Sequence, residues 1–203
     1  MRFIIITNYK SDLQSIFADV QPTHWAWQDT TTLYYSNITA GCSTSPLQFC
    51  PNRNVTRREM AVFLLRLIHG ANYIPPAVGS STGFSDVSIS DWGAPWIKQL
   101  AAENITSGCG NGNYCPDSNV THAQMSVFLL KSKRGSSYFP PNLSPTFPDT
   151  VSHWAEDWIT QAYNGNLTSG SHSLSCYVGF FCPENSVSRA EMANMLVRAM
   201  NTP

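Results

Sequence analysis

Val55-Thr56-Arg57-Arg58-Glu59-Met60-Ala61-Val62-Phe63-Leu64-Leu65-Arg66-Leu67-Ile68 is the stretch on which the fold turns. Thr56 followed three residues later by Glu59 is the capping-box spacing that starts a helix. The Thr56 hydroxyl can take an N–H of the first turn while Glu59 reaches back to the start. Beyond the cap, Met60, Phe63, Leu64, Leu67 and Ile68 recur at helical spacing as one apolar stripe. The arrangement returns twice. Val120-Thr121-His122-Ala123-Gln124-Met125 sets Thr121 against Gln124, and Val187-Ser188-Arg189-Ala190-Glu191-Met192 sets Ser188 against Glu191. Met125, Phe128 and Leu129 repeat the stripe, as do Met192, Met195, Leu196, Ala199 and Met200. Such stripes belong in a core, not around a cofactor.

Working outward, the whole chain repeats with a period of about 65 residues. Phe17-Ala18-Asp19-Val20, Phe84-Ser85-Asp86-Val87 and Phe147-Pro148-Asp149-Thr150 open each copy. A tryptophan follows at Trp25, Trp92 and Trp154, then Asn37-Ile38-Thr39, Asn104-Ile105-Thr106 and Asn166-Leu167-Thr168. Gly41, Gly108 and Gly170 stand two residues beyond each Thr, placed to end a helix or turn the chain. Each copy therefore reads as helix, loop, helix. In the second copy Trp96, Ile97, Leu100 and Ala101 share one helix face, and Pro95 suits the first turn. A two-helix unit cannot bury its stripe alone, so the three should pack on one another. The expected division is an extension at 1–15, units at 16–74, 84–139 and 147–203, and Pro/Gly/Ser-rich linkers at 75–83 and 140–146. In the extension, Phe3–Thr7 is rich in β-branched residues and reads as a short β-strand. Its apolar core is too short for a secretory signal.

Each inter-helix loop carries two cysteines, Cys42/Cys50, Cys109/Cys115 and Cys176/Cys182, and ends in Cys-Pro. Pairing within a loop is favoured, and closing each loop should stabilise by roughly 2–3 kcal/mol. Metal ligation is the rival, but there is no C-x2-C knuckle and no histidine at matching offsets. Disulfides imply an oxidising compartment, periplasm or cell exterior.

Composition narrows the function. Charged residues are 12% of 203, and Lys plus Arg (12) against Asp plus Glu (13) leaves a net charge of -1. No basic field exists to hold nucleic acid or an anionic membrane. No apolar run approaches the roughly 18 residues of a membrane span. No catalytic constellation stands out: the acids are scattered and mostly explained by caps and turns. The sequons at Asn37, Asn54, Asn104, Asn119 and Asn166 lie inside the repeated motif and fit helix-end chemistry as well as glycosylation; Asn142 is a sixth.

The combination F-x-D-[VT], Trp, [IL]-T-x-G, Cys-Pro and [TS]-R-x-E-Met resembles the S-layer homology repeat, here in three tandem copies over about residues 16–202. The resemblance implies an all-α fold, three helix–loop–helix repeats in a pseudo-threefold bundle. It implies a bacterial cell-surface protein, extracellular and non-enzymatic, that holds cell-envelope polysaccharide in grooves between repeats without metal or cofactor. By position, Arg57 and Arg189 match the family's groove arginine, and His122 replaces it in the second copy. A guanidinium can grip a carboxylate with two charge-assisted bonds, which a neutral imidazole cannot. Trp25, Trp92 and Trp154 could stack on sugars or pack in the core, and Gly41, Gly108 and Gly170 belong to the groove loops. Asp19, Asp86 and Asp149 read as loop-fixing acceptors or caps. The alternative function is a structural subunit that self-assembles into an extracellular filament or surface array, through repeat–repeat contacts and pairing of the N-terminal strand.

Overall fold

The computed structural model describes residues 15–168 and 176–202. The expected strand at Phe3–Thr7 and Gly170 lie outside the described residues. Six α-helices carry the described fold: α1 (Trp27–Tyr35), α2 (Arg57–His69), α3 (Ala94–Ala102), α4 (His122–Arg134), α5 (Glu156–Asn164) and α6 (Arg189–Asn201). A 3-10 turn covers Pro148–Thr150. The strands within these residues are a minimal antiparallel hairpin in the first loop, Ser43–Thr44 (β1) against Leu47–Gln48 (β2). None of the described helices is long and apolar enough to cross a membrane.

The three long helices begin where the cap pattern places them. Thr56 and Glu59 complete a capping box on α2, and Ser188 and Glu191 do so on α6. On α4 the Thr121 hydroxyl accepts from the Gln124 N–H, but the reciprocal bond expected from the sequence is replaced. Gln124 Oε1 instead accepts from Arg57 Nη1 at 3.2 Å. A neutral amide holds a backbone N–H less tightly than a carboxylate does, so the nearby guanidinium takes it.

The short helices α1, α3 and α5 each start about two residues past the repeated tryptophan and end at the Asn-apolar-Thr triplet. Asn37, Asn104 and Asn166 have φ of 55°, 57° and 56°. Asparagine is among the few side-chain-bearing residues that accept this left-handed geometry readily. The asparagines of the sequons at Asn37, Asn104 and Asn166 thereby have a helix-end role.

Packing crosses the sequence units. α1 lies on α6, α3 on α2 and α5 on α4, so each short helix covers the long helix of a different motif copy. Leu33, Ile97 and Ile159 fill the short-helix side of this core, and Met60, Met125 and Met192 the long-helix side, all fully buried. Burial of each such side chain contributes about 1.5–3 kcal/mol. Just before the long helices three extended segments meet. Val55 N–H donates to Val187 O (3.0 Å), Val187 N–H to Val120 O (2.8 Å) and Val120 N–H to Val55 O (2.9 Å). These bonds close a ring that joins the first, second and third motif copies.

Candidate functional site

The loops between short and long helices are built alike. Asp19 accepts from the backbone N–H groups of Phe49 and Cys50, Asp86 from Tyr114 and Cys115, and Asp149 from Phe181 and Cys182. These are the loop-fixing roles expected of the repeated aspartates. Disulfides join Cys42–Cys50, Cys109–Cys115 and Cys176–Cys182. Gly41 and Gly108 stand at φ of 89° and 93°, and a Cβ there would overlap the carbonyls of Gln48 and Asn113. Their first role is thus to let the loop fold back on itself.

The groupings Asp19/Cys42/Cys50 and Asp86/Cys109/Cys115 bring carboxylate and sulfur together, but the sulfurs are in disulfides and the carboxylates already take two N–H bonds each. They offer no thiolate to a metal. Gly79-Ser80-Ser81-Thr82-Gly83 spells G-x-S-x-G. It lies in an irregular connection, and the Ser81 hydroxyl accepts from the Gly83 N–H. A nucleophile of this type needs a strand-to-helix turn and a base, and this segment has neither feature.

The two motif arginines and His122 are buried, at 3%, 2% and 2% exposure. Each reaches from the first residue of a long helix into the loop of the next motif copy. Arg57 Nε donates to Tyr114 O (2.8 Å), with its guanidinium 4.8 Å from the Tyr114 ring centre. Arg189 Nε donates to Phe49 O (2.7 Å), 4.7 Å from the Phe49 ring. His122 Nδ1 faces the carbonyls of Phe181 and Cys182 at 3.3 and 3.1 Å, and its ring meets Phe181 edge-on. The aromatic residue before each Cys-Pro, Phe49, Tyr114 or Phe181, is the partner the sequence reading missed. Its signal was present, since all three Cys-Pro pairs follow an aromatic.

A second polar link runs alongside. Arg57 meets Gln124, His122 Nε2 stands 3.5 Å from Glu191, and Arg189 stands 3.7 Å from Glu59, which also pairs with Arg53. Burial lowers the Arg189 pKa to about 10, with Glu59 opposing that shift, and burial lowers Arg57 as well. Burial raises the Glu59 and Glu191 carboxyls. Hydrogen bonds from the helix start, with Arg53 and Arg189 for Glu59 and His122 for Glu191, outweigh it and leave both lowered. Arg57 Nη2 and Arg189 Nη2 remain buried without a hydrogen-bond partner.

The tryptophans are on the surface, not in the core: Trp25, Trp92 and Trp154 are 47%, 63% and 62% exposed. His24 stacks beside Trp25, and His153 lies beside Trp154. Under Trp92 lies Arg58, its guanidinium 5.4 Å from the ring and paired with Asp117 at 2.9 Å. Arg58 fits because residue 93 is glycine; a Cβ there would overlap Arg58 Cγ and stand 2.9 Å from Cδ. At the equivalent places the pairs are Ala123 with Ala155 and Ala190 with Ala26, all buried.

Stapled loops, interlocked motif copies and exposed aromatics define a class of helical, disulfide-stapled chain. Comparison with known proteins sharpens the class. Residues 83–126 match the family model of the S-layer homology domain. Cell surface glycoprotein 1 of Acetivibrio thermocellus is 32% identical over 75% of this chain, which spans 7% of that protein. The cellulosome-anchoring protein of the same organism is 28% identical over 75% of this chain and 33% of its own length. S-layer protein EA1 of Bacillus anthracis is 23% identical over 89% of this chain and 19% of its length. The chain thus spans a third or less of these relatives.

Proposed function

We propose that the chain comprises three S-layer homology repeats arranged about a pseudo-threefold axis, with the unit boundaries given above. It is an extracellular, cell-surface module without catalytic activity that binds cell-envelope polysaccharide. The single observation that carries this reading is the row of equivalent exposed tryptophans, each beside a loop clamped by a neighbouring repeat. An exposed indole loses water readily and offers a flat apolar face to a sugar ring. Supporting it are the S-layer homology match of residues 83–126 and the surface and anchoring proteins among the relatives.

In this reading Arg57 and Arg189 hold the repeats together and lend positive charge to the grooves, each with one buried Nη that has no hydrogen-bond partner. His122 holds its junction with a ring whose Nε2 is likewise buried and without a hydrogen-bond partner, and it has no guanidinium fork. The groove it serves binds acidic glycan least well. Three weak sites on one body give avidity that no single site has.

The test is pelleting with envelope polysaccharide isolated from Acetivibrio thermocellus. W25A/W92A/W154A should lose most pelleting while keeping its far-UV circular dichroism, and single variants should lose part of it. Undiminished pelleting by the folded triple variant would exclude the tryptophan sites. Electron microscopy of residues 1–203 and 16–203 tests the assembly alternative, which predicts polymer that disappears with residues 1–15.

A further inference from the structure

At the far end of α4, about 18 Å from His122 along the helix axis, lies an open pocket of about 450 Å³. Its lining includes Lys133, Arg134, Tyr138, Gly165, Leu167 and Thr202. At the corresponding place between α2 and α3 side chains occupy the space, and the difference can be traced to single residues. There His69 ends α2 and stacks on Tyr73 with ring centres 4.3 Å apart. Glu103, the C-cap of α3, fills the space and pairs with His69 at 2.8 Å. At the pocket Arg134 ends α4 and lies 5.5 Å from the Tyr138 ring, while the C-cap of α5 is Gly165. The cation and the aromatic are kept, and the carboxylate is gone.

The backbone at the two caps is the same. Glu103 has φ -82° and ψ 3°, and Gly165 has φ -80° and ψ 5°. Gly165 is therefore not required by backbone conformation. Its effect is to leave open the volume a glutamate side chain would fill. Lys131, Lys133 and Arg134 crowd the last turn of α4, and none forms an ion pair among the described residues. Lys133 Nζ is held by Thr202 O at 2.6 Å and Lys131 Nζ by Asn104 O at 3.3 Å, leaving Arg134 as the cation facing the space. The helix C-terminal carbonyls gathered here oppose an anion. The Glu103 carboxylate nevertheless sits against just such a C-terminus in the sister position.

We propose that this pocket binds the carboxylate of an acidic sugar, which takes the place that the Glu103 carboxylate holds between α2 and α3. The guanidinium of Arg134 receives the carboxylate, and the Lys133 charge supports it. This site is separate from the tryptophan and Arg57/Arg189 positions and does not depend on them.

The experiment is a ¹⁵N-HSQC titration of the full chain with sodium glucuronate at neutral pH, with glucose as the uncharged control. Glucuronate should move the amide signals around Arg134, Tyr138 and Gly165 saturably, and glucose should not. Arg134→Gln should weaken binding about tenfold, the loss of one charge-assisted contact. Gly165→Glu rebuilds the sister arrangement at the same φ and ψ, its Cβ 3.2 Å from Gln161 O; it should abolish the shifts around Arg134, Tyr138 and Gly165 with an unchanged circular dichroism spectrum. Absence of wild-type shifts, equal shifts with glucose, or full binding by folded Gly165→Glu would each overturn the proposal. W25A/W92A/W154A should keep the glucuronate response even where polysaccharide pelleting is lost, so the two sites fail independently.

Discussion

Replacing Gly93 by alanine adds one methyl group to a buried junction already filled by Arg58. The new Cβ would overlap Arg58 Cγ, close to the α2 backbone, so the clash is not relieved by swinging the end of the side chain. Backbone strain is not the issue, since Gly93 has φ -92° and ψ -4° and the equivalent Ala26 has φ -90° and ψ 7°. Overpacking of this kind costs about 1–3 kcal/mol, and we expect about 2 for Gly93→Ala. Arg58→Ala removes a buried aliphatic stem, a contact with Trp92 and an ion pair whose Asp117 partner is 82% exposed. The ion pair is worth at most about 1 kcal/mol and the lost packing about as much, for a total near 2. The double variant recreates the alanine pairs found at the other two junctions. It should cost less than about 1 kcal/mol, against roughly 4 if the two changes were additive. Urea unfolding of the oxidised protein at neutral pH, followed by circular dichroism, measures all four corners of this cycle. Costs that add to within about 0.5 kcal/mol would refute the argument that residues 58 and 93 exchange volume.

The other predictions concern the clamps, the loops and the charges. Arg189→Ala should lower stability by about 3 kcal/mol, because it removes the buried bond to Phe49 O, the ring contact with Phe49 and one of the two cations of half-buried Glu59; urea midpoints measure it. Reducing the three disulfides should lower the urea midpoint, with about 2–3 kcal/mol lost per loop; a midpoint unmoved by reductant would contradict it. Glu59 and Glu191 are lowered in the folded state. Their stabilising contribution is present above the unfolded glutamate pKa, about 4.3, and is lost as pH falls through their folded values. Thermal melts should therefore drop on acidification below about pH 4.5, and less steeply in E59Q/E191Q. Gly108→Ala should cost more than Gly135→Ala. Both sit at positive φ, but only at Gly108 would a Cβ overlap a carbonyl.

The long helices were the most legible part of the chain. A hydroxyl residue, a Glu or Gln three places on and an apolar stripe specify a start and a buried face from local chemistry alone. The cysteines were legible because each pair closes within its own loop; the aspartates were legible from their recurrence, although each reaches a loop about 30 residues on. Reading failed where a residue's partner lies in another motif copy. Trp25, Trp92 and Trp154 look like core residues in a helix-period pattern, yet the helices they precede are buried through Leu33, Ile97 and Ile159 instead. Arg57 and Arg189 carry full charges that suggest solvent, yet each is buried against an aromatic ring of the next copy. Gln124 satisfies the cap pattern, yet serves Arg57.

By itself the sequence determined the local syntax: six helices' worth of signals, asparagines at the helix ends, disulfide loops and a low charge that leaves no basic field for nucleic acid. Tertiary structure decided which helix covers which, that the motif arginines act as clamps between copies, and that one junction is filled by Arg58 while another is opened by Gly165. The physical reason is range. Caps, turns and short disulfides are fixed by bonds between residues close in the chain. Burial and pairing depend on groups about 60 to 140 residues apart, whose meeting is set by the packing of the whole core.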